Sequence, residues 1–456
     1  SGRYGENIHY NLDTISLSFA GTLTILGGRL EIYTTNTGNN YAAIWNTGMA
    51  TINIGNSSDD LDLKIYNNSG YAIYSNSGRA ININNGLIVG KTYGVYSTGS
   101  SNTVTIGASY STKKTLQIIS LNTDSASYGV YTSILNYVNG FMGSGYGVSN
   151  AFKYTSSMTG TADGYASVTY NGVTYNGIYG QAIASIGDVK YGTLQDAINA
   201  LDSTTSKTIK LLDDINECVT VSDAKRGSID LNSKTWSCKG NVLNISNSSA
   251  YITITDSNKS NVGKITTGSY PSGTIRVTAG TLYLSYGIIE SNSTYSTVYT
   301  IYVGGGTLRI NGGDTTNLQI LSNAGPAIYV ANNSSVTIWS NALIKSTASQ
   351  AIYASGSSTT VEIRDGTIVS EGATDTISVN SGASLDIGYL GLNSPIYIIN
   401  MNSSTSYYAV KNNSSTVKFN GGFIGSAAGA SYAYYSITIP TGVAYTTSYT
   451  YNGTTY

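Results

Sequence analysis

The sequence predicts an all-β solenoid, a stack of coils made of very short strands, and three observations carry that prediction. The first is a triplet of small residue, Ile or Val, and aromatic, or Thr in place of the small residue. It recurs as Ala43-Ile44-Trp45, Ala72-Ile73-Tyr74, Gly94-Val95-Tyr96, Gly129-Val130-Tyr131, Thr300-Ile301-Tyr302, Ala327-Ile328-Tyr329 and Ala351-Ile352-Tyr353. The spacings are 29, 22 and 35 residues in the first half, then 27 and 24 in the second. The second observation is that most triplets are followed by another alternating strand and then a third, as in Val361-Glu362-Ile363 and Gly366-Thr367-Ile368-Val369. The third is composition: 52 Gly, 40 Tyr, 4 Pro and only 10% charged residues in 456 leave too little Glu and Lys for surface helices.

Each element of a coil has a physical reason. A strand of three to five residues cannot bury its Ile or Val alone, but stacking equivalent strands about 4.8 Å apart makes a continuous core and hydrogen-bond ladder. Gly, Asn and Ser at the corners supply positive φ and local side-chain hydrogen bonds. Corner insertions reach solvent, which accounts for the uneven period. Scarce proline suits long ladders that need every backbone donor. A string of sandwiches would need longer antiparallel strands joined by hairpins, which the triplet rhythm does not offer.

A longer repeat divides the chain. Ser167 to Tyr175 reads SVTYNGVTY and Ser448 to Tyr456 reads SYTYNGTTY, 281 residues apart, and Phe141-Met142-Gly143-Ser144 matches Phe423-Ile424-Gly425-Ser426 at 282. Residues 1–175 are therefore expected to form one solenoid unit lacking its front half, 176–190 a linker, and 191–456 a second unit. That second unit opens with the one convincing helix, 193–201, in which Thr193 is the N-cap, Asp196 sits in a capping-box-like position, and Leu194, Ala197, Ile198 and Leu201 share a face. The helix is expected to cover the first coil.

The segments Ile186 to Ala200, Ile209 to Ile215, Ile229 to Lys234 and Ile252 to Asp256 resemble the opening of a right-handed parallel β-helix of the pectate-lyase-like fold. More narrowly, they and the stretch from Pro395 through Gly421-Gly422-Phe423-Ile424-Gly425 to Tyr456 are similar to large repetitive cell-surface proteins of Gram-positive, clostridia-like bacteria. The resemblance implies a secreted, surface-exposed β-helix that serves as an adhesin or structural surface protein.

Cys218 and Cys238, the only cysteines, lie 20 residues apart, close to one short coil. Neighbouring coils would bring their Cα atoms within disulfide range. A disulfide and two buried thiols both stay open; a metal site would need further ligands.

Catalytic chemistry finds little to work with. Lyases of the resembled fold hold calcium on clustered acids and use Lys or Arg as base, while hydrolases use paired Asp with His. The single His, His9, reads as a solvent-facing residue, and the pairs Asp59-Asp60 and Asp213-Asp214 read as turns, since acid/base work needs two carboxylates presented across a groove. No calcium-binding nonapeptide repeat is present, which leaves at most a single surface ion at Asp59 and Asp60. Asn-x-Ser/Thr sites such as Asn244, Asn292 and Asn332 read as turn chemistry. No catalytic, cofactor or metal residue is assigned.

The aromatic places remain. If Ile points inward in each triplet, then Trp45, Tyr74, Tyr96, Tyr131, Tyr302, Tyr329 and Tyr353 point outward in equivalent positions. Such a strip can be a stabilising ladder, a contact between subunits or a carbohydrate surface. A formal net charge of −1 and the absence of a dense basic run disfavour nucleic acid and anionic membranes as partners, and no apolar run is long enough to insert in a bilayer. The expectation is a non-enzymatic structural protein of the bacterial exterior that associates head to tail. A glycan-binding adhesin is the alternative, and a polysaccharide lyase or hydrolase is third.

Overall fold

The structure, a computed structural model, describes residues 15–456 apart from 19, 34–40, 56–62, 77–78, 108–115, 161–163, 180–181, 269–270, 313–317, 390–394, 414 and 439–447. The chain is all-β and its parallel strands stack into a solenoid whose coils number about 15 over two compact units. One unit comprises residues 1–183 with 189–196, the other 184–188 with 197–456. Among the described residues no helix is long and apolar enough to cross a membrane.

In the second unit each coil contributes one strand to each of three ladders. The coil of Ala327-Ile328-Tyr329, for example, runs through Ile328–Ala331, Ser335–Ile338 and Leu343–Ser346. Register is kept by equivalent apolar inward residues. Ile209, Ile229, Ile254, Leu284, Ile310, Ile338, Ile363, Ile387 and Phe419 stand one above another along one ladder and are almost wholly buried. A slip of one residue would turn every one of them to solvent, at about 1.5–3 kcal/mol per side chain, which is why the short strands do not slide.

The polar composition is spent at the corners. Ser346 Oγ donates to Gly325 O at 2.9 Å, Ser370 Oγ to Ser349 O at 2.9 Å and Thr376 Oγ1 to Ile399 O at 2.9 Å, all from buried positions. In the first unit, Asn67 Nδ2 donates to Tyr41 O and Tyr71 O while its Oδ1 accepts from the Ser69 and Gly70 amides. Turn carbonyls that face inward thereby find donors.

The first unit stacks the same way, except that its last full coil fuses two strands into Val130–Tyr137, which pairs with Tyr93–Ser97 at one end and Thr103–Ile106 at the other. The inward row Leu30, Ile65, Ile88, Ile118, Met142 ends under Ile178. Ile178 lies in the stretch expected to be a linker. Parts of that stretch are strand: Val173–Tyr179 is paired antiparallel to both Gly164–Tyr170 and Phe141–Ser144, and Ala184–Ile186 pairs antiparallel to Lys207–Leu211. The Asn171-Gly172 turn carries 176–179 back along 164–167 as the continuation of a local hairpin, while the second partner, Phe141–Ser144, is supplied by the fold.

The expected helix is a short one, Leu194–Asn199. Thr193 caps it, its Oγ1 accepting the Asp196 amide at 3.0 Å. The Asp196 carboxylate, instead of closing a full capping box, accepts from the Thr193 hydroxyl at 2.6 Å and the Ser167 hydroxyl at 2.9 Å. Lys225 Nζ donates to Asn199 O and Leu201 O, satisfying carbonyls at the helix C-terminus, and Leu201 packs where a side chain on Gly227 would otherwise stand.

The repeated SVTYNGVTY and SYTYNGTTY segments fold as hairpins that lie back over the outer face of their own units. Both turn at Asn-Gly with left-handed φ, 48° and 76° at Asn171-Gly172 and 48° and 79° at Asn452-Gly453, the pattern of a two-residue hairpin turn. In the first unit Val168, Tyr170 and Tyr175 cover Tyr66, Val89, Ile119 and Phe141; in the second Tyr449, Tyr451 and Tyr456 cover Val369, Ile399 and Phe423. The Tyr just before each Asn-Gly turn, Tyr170 or Tyr451, lies near a Lys–Glu pair on that face, Lys64–Glu31 at 2.6 Å and Lys345–Glu371 at 2.6 Å.

Candidate functional site: the aromatic ladders

The triplet aromatics come together as two ladders, one on each unit. In the first, parallel pairing places Trp45, Tyr74, Tyr96 and Tyr131 in register on successive coils. Their ring centroids are 4.1, 5.9 and 5.1 Å apart and the planes lie within 25° of each other. In the second, Tyr302, Tyr329 and Tyr353 are in register with centroid spacings of 5.8 and 5.0 Å. All seven rings are half-buried while the Ile or Val beside each is fully buried, so the aromatics stand outside the core and shield one another by stacking.

A second column escaped the sequence reading. Tyr71, Tyr93 and Tyr128 stand beside the first ladder, Tyr71 lying 5.1 Å from Tyr96 and Tyr93 lying 4.6 Å from it; Tyr299 braces Tyr302 and Tyr329, 5.1 Å from each. The signal was a Tyr-x-x-Tyr spacing, as in Tyr71/Tyr74, Tyr93/Tyr96, Tyr128/Tyr131 and Tyr299/Tyr302. Simple alternation would set residues three apart on opposite faces. Here the intervening small residue and Ile or Val are both buried, as with Ala72 and Ile73, so the pleat is interrupted and both tyrosines emerge on one side. At Gly94 even a methyl is too large, for it would stand 2.5 Å from Ile118 Cγ2 and 2.7 Å from Gly129 O.

Cations close the ladders. Lys153, in register with Tyr131, holds Nζ 5.8 Å from that ring and 5.6 Å from Tyr128. Arg276, in register with Tyr302, lies 5.4 Å over its ring. Among the described residues Arg276 forms no ion pair, and it lines a cleft of about 280 Å³ with Asn241, Ser272, Tyr299 and Tyr302. Burial, then the neighbouring phenols, pushes Tyr93 up to about 12 and raises Tyr71, Tyr96 and Tyr329 above the usual tyrosine value. Tyr93 also donates its hydroxyl to Ala126 O. The face is thus aromatic, edged with phenol hydroxyls and flanked by the cations Lys153 and Arg276.

The remaining candidates are structural or lie outside the described residues. Cys218 and Cys238 form a disulfide with Cα atoms 5.2 Å apart. Asp214 accepts the Thr235 amide at 2.7 Å, and Asp213 accepts the Asp214 amide, as corner residues do. His9, Asp59 and Asp60 lie outside the described residues, among which no group of three or more His, Cys, Asp or Glu could hold a metal ion. Asn332 is a turn residue at φ 55°, and Asn292 bonds Thr266 and Glu290. Asn244 corrects the turn reading, for it sits inside the strand Leu243–Ile245, in register with Arg276.

Fold and ladders define a parallel β-solenoid with aromatic columns on its outer face. No protein-family model, no curated protein and no solved structure matches this chain.

Proposed function

We propose that the protein is a non-enzymatic structural protein of the bacterial exterior, a β-helical building block of a surface fibre, appendage or surface layer. The carrying observation is a half-buried aromatic ladder on the outer face of each unit, its rings in register from coil to coil. Rings that already shield one another keep an apolar, hydrogen-bonding edge free for a neighbouring subunit at little entropic cost. A cross-linked Cys218–Cys238 pair suits an oxidising compartment, and the resemblance to pectate-lyase-like repetitive surface proteins of Gram-positive bacteria supports the same location. Subunits joining head to tail would extend the ladders. Electron microscopy of purified protein tests this: fibres or ordered arrays are expected, and dispersed monomers at high concentration would count against it.

A second reading, a glycan-binding adhesin, is favoured by the cleft at Arg276. A guanidinium over one tyrosine with a second tyrosine and an Asn amide alongside offers stacking and hydrogen bonds to a sugar. Glycan-array binding lost on Arg276→Ala, Tyr329→Ala and Tyr353→Ala, with fibres absent, would favour it. The lyase or hydrolase reading predicts product release from pectin-like polymers that disappears on changing Asp213 and Asp214; our reading expects no release.

A further inference from the structure

The last strand of one ladder in the second unit, Phe423–Ser426, pairs with Ile396–Asn400 and carries no strand on its other edge among the described residues. The first unit holds the same element with that edge filled. There Phe141–Ser144 pairs with Gln117–Ser120 on one side and, antiparallel, with Asn176–Tyr179 on the other: Phe141 opposite Tyr179, Met142 opposite Ile178, Gly143 opposite Gly177 and Ser144 opposite Asn176. Everything around the two edges corresponds. Each strand reads Phe-x-Gly-Ser, each follows an outward Val and Ile in register, Val89–Ile119 or Val369–Ile399, and each lies under the same Asn-Gly hairpin. What differs is exposure: Met142 is fully buried with Ile178 beside it in the core, whereas Ile424, which ends the corresponding row, is only partly buried.

We propose that the outer edge of Phe423–Ser426 is an acceptor site for one antiparallel strand of the type polar-Gly-aliphatic-aromatic, continuing from the hairpin as Asn176–Tyr179 does. The chemistry of the edge selects that sequence. The Phe423 ring folds over Gly425, its Cε1 2.5 Å from where a methyl would stand, as the Phe141 ring does over Gly143, so only another glycine can pass opposite it. In the occupied edge a methyl on Gly177 would overlap the Met142 carbonyl oxygen and lie 2.7 Å from the Phe141 ring. An aliphatic residue next in line covers Ile424 as Ile178 covers Met142, and an aromatic then reaches Phe423 as Tyr179 reaches Phe141, with ring centroids 6.3 Å apart. Bonding an added strand to an open sheet edge is a general mode of recognition.

This assignment goes beyond the surface-protein reading and does not depend on it. Three full-length chains test it by hydrogen exchange: the chain as it stands, one lengthened after Tyr456 by a copy of residues 176–183, and the lengthened chain with the glycine copied from Gly177 replaced by valine. The glycine-containing extension is expected to slow exchange of the Phe423–Ser426 amides about tenfold or more, the effect of roughly one net backbone hydrogen bond. The valine version should return to the rate of the chain as it stands. Equal rates in all three chains would overturn the proposal. So would protection in the unextended chain that rises with protein concentration, since the edge would then belong to a second copy.

Discussion

Among the described residues Tyr96 makes more ring contacts than any other triplet aromatic, so Tyr96→Ala is the sharpest perturbation of the first ladder. Its ring lies 4.6 Å from Tyr93, 5.1 Å from Tyr71, 5.1 Å from Tyr131 and 5.9 Å from Tyr74. An aromatic pair contributes about 0.5–1.5 kcal/mol beyond its burial, and four pairs sharing one ring do not add fully. Allowing for half-burial, the loss comes to about 2–4 kcal/mol. Stacked coils open locally, so the fitting assay is native-state hydrogen exchange at Tyr71–Ser75 and Val130–Tyr137 rather than a single global midpoint. The expected acceleration is about 30- to 1,000-fold, at tenfold per 1.4 kcal/mol. Tyr96→Phe, which keeps the ring, should stay within about threefold of the parent. Were Tyr96→Ala also within about threefold, the ladder would not stabilise the coils. Were Phe and Ala equally damaging, the hydroxyl rather than the stack would carry the effect.

The other predictions are independent of that one. Reducing the Cys218–Cys238 disulfide, which closes a separation of 20 residues, should destabilise the second unit by about 3 kcal/mol, visible as a lower melting temperature in reductant; an unchanged melt would contradict it. Gly94→Ala, whose methyl meets Ile118 and Gly129, should cost about 1–3 kcal/mol, and a neutral effect on denaturant midpoint would show that the coil can yield there. Stability should also fall at alkaline pH. Because Tyr93 titrates at about 12 folded against the ordinary 10.0, the folded chain holds its proton more tightly; this contribution is complete below pH 10 and is lost as pH rises through about 12. Tyr71, Tyr96 and Tyr329, also raised, act in the same direction, so a melting temperature constant from pH 9 to 12 would refute the buried-phenol account.

Much of the architecture was legible because a solenoid writes its tertiary contacts as a sequence period. Ile73, Val95 and Val130 lie over one another in space because each occupies the same place in its own coil, so periodic spacing alone reveals the core row and the aromatic that flanks it. The helix start at Thr193 was equally local, being a hydroxyl three residues from the amide it caps. The candidate site was legible by half: the triplet aromatics follow from alternation, whereas Tyr71, Tyr93, Tyr128 and Tyr299 join them only because two consecutive buried residues interrupt the pleat.

By itself, then, the sequence determined the solenoid class, the inward rows and the position of the aromatic columns, all of which depend on residues repeating at the same place in each coil. Tertiary structure alone decided what lies across the ladders. Asn176–Tyr179, one arm of the local hairpin with Gly164–Tyr170, is tied into the coils because Phe141–Ser144 offers its other side an edge, with Gly177 facing Gly143 where no side chain fits. The repeated Tyr-Asn-Gly hairpins fold back because Val89 and Ile119, or Val369 and Ile399, present an outward apolar strip that needs covering. Those contacts join residues at no fixed spacing, so no period records them, and they form only once the coils beneath have stacked in register.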